Sequence, residues 1–352
     1  MKKSNKKSAA VAAPQLVIGM DVSDKKSQLA ILKGDRLRFD TVQNTRKALR
    51  LQFCSLPASR VALEAGTHSP WLSRELEALG HEVIVANPRK LALITQNVRK
   101  SDIRDAETLA RLAKADPKLL SPIHHRGEDA QKALALIKVR DRLVSARTSL
   151  INCARGIVKP LAHVLPSCDA ARFVKRVSEA MDAELAPILT PLLKSLVPIN
   201  EQIKVLDREI ELLAKDNVAA RCVRQIHGVG PITALSFVMT IDDPARFAKS
   251  RDVGAYLGLT PARSQSGEED PQMHISKQGD VMLRRLLVSC AQVVMKRNAP
   301  DSALKRFGTR LAQRGGKAAK KKAIVAVARK LAVLMHRLWV TGEVYEPKRG
   351  CK

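Results

Sequence analysis

The chain is 352 residues long and carries 62 Lys and Arg against 34 Asp and Glu, a formal net charge of +28. Its 45% apolar and 27% charged residues supply packed cores and argue against wholesale disorder, and the length predicts two or three domains. Aromatic residues are only 3% of the chain, which argues against RNA modules that stack bases on rows of aromatic side chains, while the charge points to a polyanionic partner, nucleic acid first.

Cys54, Cys153, Cys168, Cys222, Cys290 and Cys351 are scattered without a CxxC pair, against zinc ribbons and a disulfide framework and in favour of reduced thiols. No apolar run approaches the ~20 residues of a membrane span. Met1–Ser8 is basic but lacks the apolar stretch of a signal peptide, so the expectation is a soluble cytoplasmic protein without a membrane partner.

In chain order, residues 1–14 read as a disordered basic tail. Leu16–Asp21 is a buried strand ending in an acid, followed by strands over 28–32 and 36–41 around the hairpin signal Gly34-Asp35. A helix over 45–56 leads to a second acid-ended strand, Ser59–Glu64. A helix over 71–79, a strand over 82–86 and an amphipathic helix over 101–113 complete a mixed α/β domain. The middle of the chain changes to heptads. Leu136, Val139, Leu143, Ala146, Leu150, Cys153 and Ile157 form one a/d seam. Leu192, Leu196, Ile199, Ile203, Leu206, Ile210 and Leu213 form another, with a helix break over 160–169 between them. The seams fit either an intramolecular helical hairpin or a dimer coiled coil, and Pro198 should kink the second or mark its start.

From Arg221 the chain is punctuated by glycine. Ile226-His227-Gly228-Val229-Gly230 reads as a tight turn between two helices, where glycines admit a phosphate close to backbone N–H groups or simply connect helices. Helices are predicted over 283–296 and 323–340, the latter with a basic start made by Lys317, Lys320, Lys321, Lys322, Arg329 and Lys330, a charge run that suits a solvated face or, on so basic a chain, phosphate.

In so basic a chain the placed acids are informative. Asp21 and Glu64 end strands that can lie side by side, and Asp102 and Asp105 share a helix face at i, i+3. Four converging carboxylates repel unless cations stand between them, and hard oxygen ligands suit Mg²⁺ or Mn²⁺ in phosphoryl transfer. Singly, each has a structural explanation as a cap, an ion-pair partner or a solvated strand end, and Asp24 and Glu107 are nearby alternatives.

Ile18–Ser23, Leu63–Thr67 and Lys100–Ala106 resemble the DEDD segments of insertion-sequence transposases with a RuvC-like N-terminal domain of the RNase H fold. Ile226–Gly230, Arg246-Phe247, Val253–Pro261, Ser264–Gly267 and Ile275–Asp280 resemble the second domain of the same family, so that the likeness spans about residues 16–340. The implied fold is α/β plus α. A RuvC-like mixed-sheet domain over 15–126 follows the tail over 1–14. A helical coiled-coil region over 127–216 precedes a mostly helical serine transposase domain over 217–342, with a helix-hairpin-helix-like turn and a tail over 343–352.

The resemblance implies a DNA recombinase that excises and inserts its element in the bacterial cytoplasm, at the nucleoid. It is guided by a structured bridge RNA that pairs with donor and target DNA, a division of labour known in other RNA-guided systems. By position, Asp21, Glu64, Asp102 and Asp105 would hold Mg²⁺ or Mn²⁺, and Ser266 would form a covalent phosphoserine link to DNA. The implied assembly is a homo-oligomeric dimer of dimers in which one subunit's serine completes another's acidic site. Without the resemblance Ser266 is a turn serine, with Ser264 and Ser276 as rivals; His227 and His274 read as solvated or packed, with proton transfer as the alternative role. Gly228, Gly230, Lys277, Arg284, Arg285, Lys320, Lys321 and Lys322 are the expected nucleic-acid contacts. The alternative function is a metal-dependent RuvC-like nuclease or Holliday-junction resolvase that uses water, in which Ser266 is structural.

Overall fold

The computed structural model describes residues 16–91, 101–267, 269–271 and 273–348. The expected tail over 1–14, Lys100 and Cys351 lie outside the described residues. The chain divides into two compact units between His125 and Arg126.

The first unit is built on a five-stranded sheet of order β3-β2-β1-β4-β5. β1 (Leu16–Val22), β2 (Lys26–Lys33) and β3 (Arg36–Gln43) form an antiparallel meander. β4 (Arg60–Glu64) and β5 (Glu82–Ala86) run parallel to β1. Gly34, at φ +57, turns β2 into β3, the left-handed backbone that a two-residue hairpin asks for. The strand period of two sends alternate residues to opposite faces. Ile18, Met20 and Leu63 pack with Leu49 and Phe53 of α1 (Arg46–Phe53) and Leu72 and Leu76 of α2 (Ser69–Ala78). Val17 and Ala62 pack with Leu109 and Ala113 of α3 (Asp102–Ala115), and Ala30 and Leu32 with its Ala106 and Ala110. Each fully buried Leu here contributes roughly 1.5–3 kcal/mol. A mixed sheet covered on both faces agrees with the expected RNase H-like class.

The second unit is helical. α4 (Glu128–Ile157) and α6 (Ala186–Asp216) are long arms, with α5 (Phe173–Ala180) packed at one end over Leu189, Leu193 and Leu196. Arg140 Nε donates to Asp207 Oδ1 at 2.8 Å, and an Arg147 N–H donates to Asn200 Oδ1 at 3.2 Å. Moving from Arg140 to Arg147 along α4 moves the partner from Asp207 back to Asn200 along α6. The arms therefore run antiparallel, as an intramolecular hairpin.

Two expectations for these arms are corrected. The seam on α4 is buried through Ile137, Ile151 and Ala154, whereas Val139 is 52% exposed and Ile157 is exposed too. α4 packs against both α6 and α8 (Pro231–Ile241), which turns its buried stripe by one residue from the heptad reading. On α6, Leu196, Ile203 and Ile210 are buried as expected, joined by Leu193 and Ala214 rather than Leu192 and Leu213. Pro198 does not mark the start of this helix, since both Pro191 and Pro198 lie inside it.

α7 (Val218–Val223), α8, α9 (Asp252–Tyr256), α10 (Val281–Val294), α11 (Ala303–Ala312) and α12 (Gly316–Thr341) follow. Their core centres on Phe237, Leu257, Leu287 and Leu331 and includes Ile137 and Ile210 of the arms. The regions divided in the sequence at 216/217 thus share one core. α12 begins earlier than the apolar periodicity implied, so Lys317, Lys320, Lys321 and Lys322 lie inside it rather than before it. Among the described residues no helix is long and apolar enough to cross a membrane.

Candidate active site

The parallel register pairs Val17 with Arg60 and continues through Met20 with Leu63. The same offset, carried one residue further, brings Asp21 level with Glu64. Both stand on the face of Gly19 and Ala62, the face covered by α3. That helix runs opposite to β1 and β4: an Arg60 N–H, at the start of β4, donates to the carbonyl of Ala113 near the helix end. Its first turn therefore lies over the strand ends that carry Asp21 and Glu64. Ser101 caps the helix by accepting from the Arg104 N–H, and Asp102 and Asp105 occupy the first turn, where the helix dipole favours negative charge. Asp105 faces the sheet at 6% exposure, and Asp102 lies one turn outward and exposed.

Strand ends and helix start thus bring four carboxylates to one sheet edge. Their hard oxygens fit a divalent cation such as Mg²⁺ better than a soft metal. As placed, no three Asp, Glu, His or Cys side chains among the described residues form a ready-made ion site. Asp21, Glu64 and Asp105 each already have a partner.

Asp24 and Glu107, the alternatives, are engaged elsewhere. Arg111 Nε donates to Glu107 Oε1 at 2.7 Å across one helical turn. Asp24 meets His68 Nε2 at 3.3 Å, and Trp71 Nε1–H donates to His68 Nδ1 at 3.1 Å. This His68 group just beyond β4 was not found from sequence, because its three members share no motif. Ser69 Oγ lies 2.8 Å from His125 Nε2 but is fully buried and closes a turn by accepting from the Gly66 N–H.

In the second unit, residues 258–262 pair with 274–277. The Ala262 N–H donates to the His274 carbonyl, the Ser276 N–H to Thr260 and the Lys277 N–H to Gly258. This ladder supports an outer loop in which Ser266 and Glu269 exchange backbone hydrogen bonds at 3.1 and 3.0 Å. Gly267 at φ +58 makes the turn, and Arg263 pairs with Asp270 at 3.3 Å across the loop. Ser266 therefore sits exposed at the tip of a braced hairpin. Its rival Ser276 is half-buried in the ladder, while Ser264, His227 and His274 are exposed.

A transposase model of the DEDD type named for IS110 matches residues 18–161, and the model of the IS116/IS110/IS902 transposase family matches residues 220–306. The chain is 30% identical over 347 residues to the transposase for insertion sequence element IS1111A of Coxiella burnetii, covering 94% of this chain and 91% of that protein. It is 33% identical over 270 residues to the transposase for insertion sequence element IS1328 of Yersinia enterocolitica, covering 74% and 77% respectively. The chain belongs to the IS110/IS116/IS902 family of DEDD transposases. It is thus an enzyme of DNA transposition, which cuts and rejoins DNA.

Within this transposase the expected nucleic-acid contacts separate into inner and outer residues. Arg284 is a correction: it is only 9% exposed, and its guanidinium donates to the carbonyls of Leu257 at 3.0 Å and Gln278 at 2.8 Å. It ties α10 to the base of the serine hairpin, giving a donor to the buried carbonyl of Leu257 and the part-buried carbonyl of Gln278. Gly228 is also corrected. At φ +88 it lies against α10, where a Cβ would come within 3.3 Å of the Cys290 carbonyl, so the glycine serves close helix packing. Gly230 is exposed and caps α8, and the Cys290 thiol, which donates to Thr233 Oγ1 at 3.4 Å, has its pKa pushed up by burial, against the effect of its hydrogen bonds with Thr233 and the Gly230 backbone. Arg285 pairs with Asp141 of α4. Lys277, Lys320, Lys321 and Lys322 are exposed.

Proposed function

We propose that this transposase excises and inserts its element by serine-based strand exchange that also uses a metal-dependent acidic site, guided by a structured bridge RNA. The observation that carries the reading is the level placement of Asp21 and Glu64 under the first turn of the helix that bears Asp102 and Asp105. These four residues would hold Mg²⁺ or Mn²⁺, which when bound offsets phosphate charge and favours the ionised form of an attacking hydroxyl.

Ser266 supplies that hydroxyl. Its exposed tip position suits attack on a phosphodiester, and no histidine is its hydrogen-bond partner among the described residues, so its activation comes from outside the hairpin. The Ser266 oxygen forms a bond to phosphorus while the bond to one strand's oxygen breaks; the serine proton is released and the departing strand oxygen takes one up. One phosphoester replaces another, so the exchanged strand is rejoined by the reverse step without ATP.

Guidance by RNA rests on the family resemblance and is supported by the net charge of +28. Assembly as a dimer of dimers is supported by apolar side chains left open on the arms, including Val139, Val205 and Leu212.

The test is a denaturing gel of the protein incubated with Mg²⁺, RNA from the element's end and labelled junction DNA. The expected result is a covalent adduct that disappears in Ser266→Ala. Asp21→Asn should abolish cleavage and keep nucleic-acid binding. Cleaved DNA without an adduct in the wild type would instead establish water as the nucleophile, and cleavage by Asp21→Asn would overturn the metal site.

A further inference from the structure

A groove of about 860 Å³ lies between the base of the serine hairpin and α12. Its floor is apolar, with Pro261, Met273 and Ile275 from the hairpin, Phe307 from α11, and Val325 and Val333 from α12. Lys277, Lys321, Lys322, Arg329 and Lys330 line it as well, and no carboxylate does among the described residues. We propose that this groove holds an unpaired DNA strand, with bases against the floor and phosphates on the cations.

Three features favour an anionic occupant. Lys317, Lys320, Lys321 and Lys322 crowd the start of α12, whose first turn holds no acid, and so add to the positive end of the helix dipole. An anion relieves that repulsion. Two of the cations are already positioned: the Lys330 ammonium stands 4.3 Å from the centre of the Phe307 ring, and the Arg329 stem lies over Gly254, where a Cβ would meet it at 3.0 Å. Lys277 is held at φ +55, a left-handed backbone that non-glycine residues rarely adopt, with its N–H bonded to the Gly258 carbonyl.

The floor distinguishes an unpaired strand from a duplex. Duplex bases are stacked inside and offer only phosphate and groove edges, whereas an unpaired strand turns base faces outward onto apolar surface. A DNA-cutting and rejoining enzyme favours a DNA strand over an acidic peptide as the anionic occupant. The proposal rests on DNA as the substrate of this family and not on Ser266 as the nucleophile.

The test uses the full chain and fluorescence anisotropy with a labelled single strand, its duplex, an abasic strand and an RNA of equal length. The triple variant Lys277→Gly/Lys321→Ala/Lys322→Ala should bind the single strand at least tenfold more weakly. Its log–log salt slope should be shallower by about 2, from three lost phosphate contacts. Met273→Ser, which removes apolar surface without adding charge, should weaken the base-bearing strand and leave the abasic strand unchanged. As a readout on the wild type, a 4-thiothymidine strand should photocrosslink to the peptide carrying Met273 or Phe307.

Undiminished binding by the triple variant, equal binding of the abasic and intact strands, or crosslinks confined elsewhere would each overturn the proposal. RNA binding more tightly than DNA would overturn the choice of DNA, and displacement of the strand by an acidic helical peptide would give the groove to a protein. A Ser266→Ala protein that binds the strand normally but forms no adduct meets both readings. Normal strand binding with an adduct that survives Ser266→Ala fails the nucleophile assignment alone.

Discussion

The carbonyl oxygen of Ala106 occupies the space that a side chain would need at Gly19: a Cβ there would stand 1.9 Å from it, and 2.6 Å from the amide nitrogen of Ala110. α3 therefore lies directly on the backbone of β1. Asp21 is two residues along the strand from this contact and Asp105 is next to Ala106 in the helix. The missing side chain thus sets how closely two of the four carboxylates approach.

Gly19→Ala should push α3 off the sheet. The expected cost is about 1–3 kcal/mol from overpacking against backbone that cannot turn aside. DNA cleavage should fall further than stability alone explains, because the acids separate. Urea unfolding beside a cleavage assay checks this. Asp21→Asn is the control, expected to lose cleavage at near wild-type stability; a Gly19→Ala protein that cleaves normally would show that the approach does not matter.

Arg284→Ala should destabilise the second unit by on the order of 2–3 kcal/mol, since charge-assisted hydrogen bonds are lost and the buried carbonyl of Leu257 is left without this donor. The salt slope of DNA binding at matched folded fraction should not change, in contrast with an arginine that touches phosphate. A slope shallower by about 0.7–0.9 would return Arg284 to the nucleic-acid surface.

The first unit should lose stability on mild acidification. His81 is buried, its Nδ1 accepts from the Ser59 N–H at 3.2 Å, and its ring meets Phe53 edge-on. Burial lowers its pKa below the ordinary 6.5. The unfolded chain then takes up the proton first as pH falls. The stabilising contribution is complete above about pH 6.5 and declines below it, towards the folded pKa. Urea midpoints between pH 8 and 5 should fall for the wild type and less steeply for His81→Leu. Equal slopes would assign the acid sensitivity to other groups.

Much of the first unit was legible as pattern. Alternating apolar residues and the Gly34-Asp35 turn located five strands and their helices to within a few residues, because period two and turn chemistry are local properties. The acids Asp21 and Glu64 stood out as charged ends of apolar runs, and Asp102 and Asp105 as a helix-face pair. Their convergence was not local: it follows from the β1–β4 register and from the direction in which α3 crosses the sheet.

The helical unit was less legible. Heptads in 136–157 and 192–213 announced two long helices, yet adjacent apolar stripes on one helix are equivalent until a neighbour covers one of them. The packing of α8 beside the arms made that choice, burying Ile137 and leaving Val139 open. Arg284 and Arg285 are likewise adjacent and chemically alike, and only the position of two unpaired carbonyls drew one inward.

By itself, then, the sequence determined a basic chain, most of its strands and helices and its family, and it singled out candidate acids, all carried by composition, period and motif. The tertiary structure alone decided which carboxylates share an edge, which arginine faces inward and where the lysines of α12 meet the hairpin. Those outcomes depend on register and helix crossing between segments far apart in the chain, which no local pattern encodes.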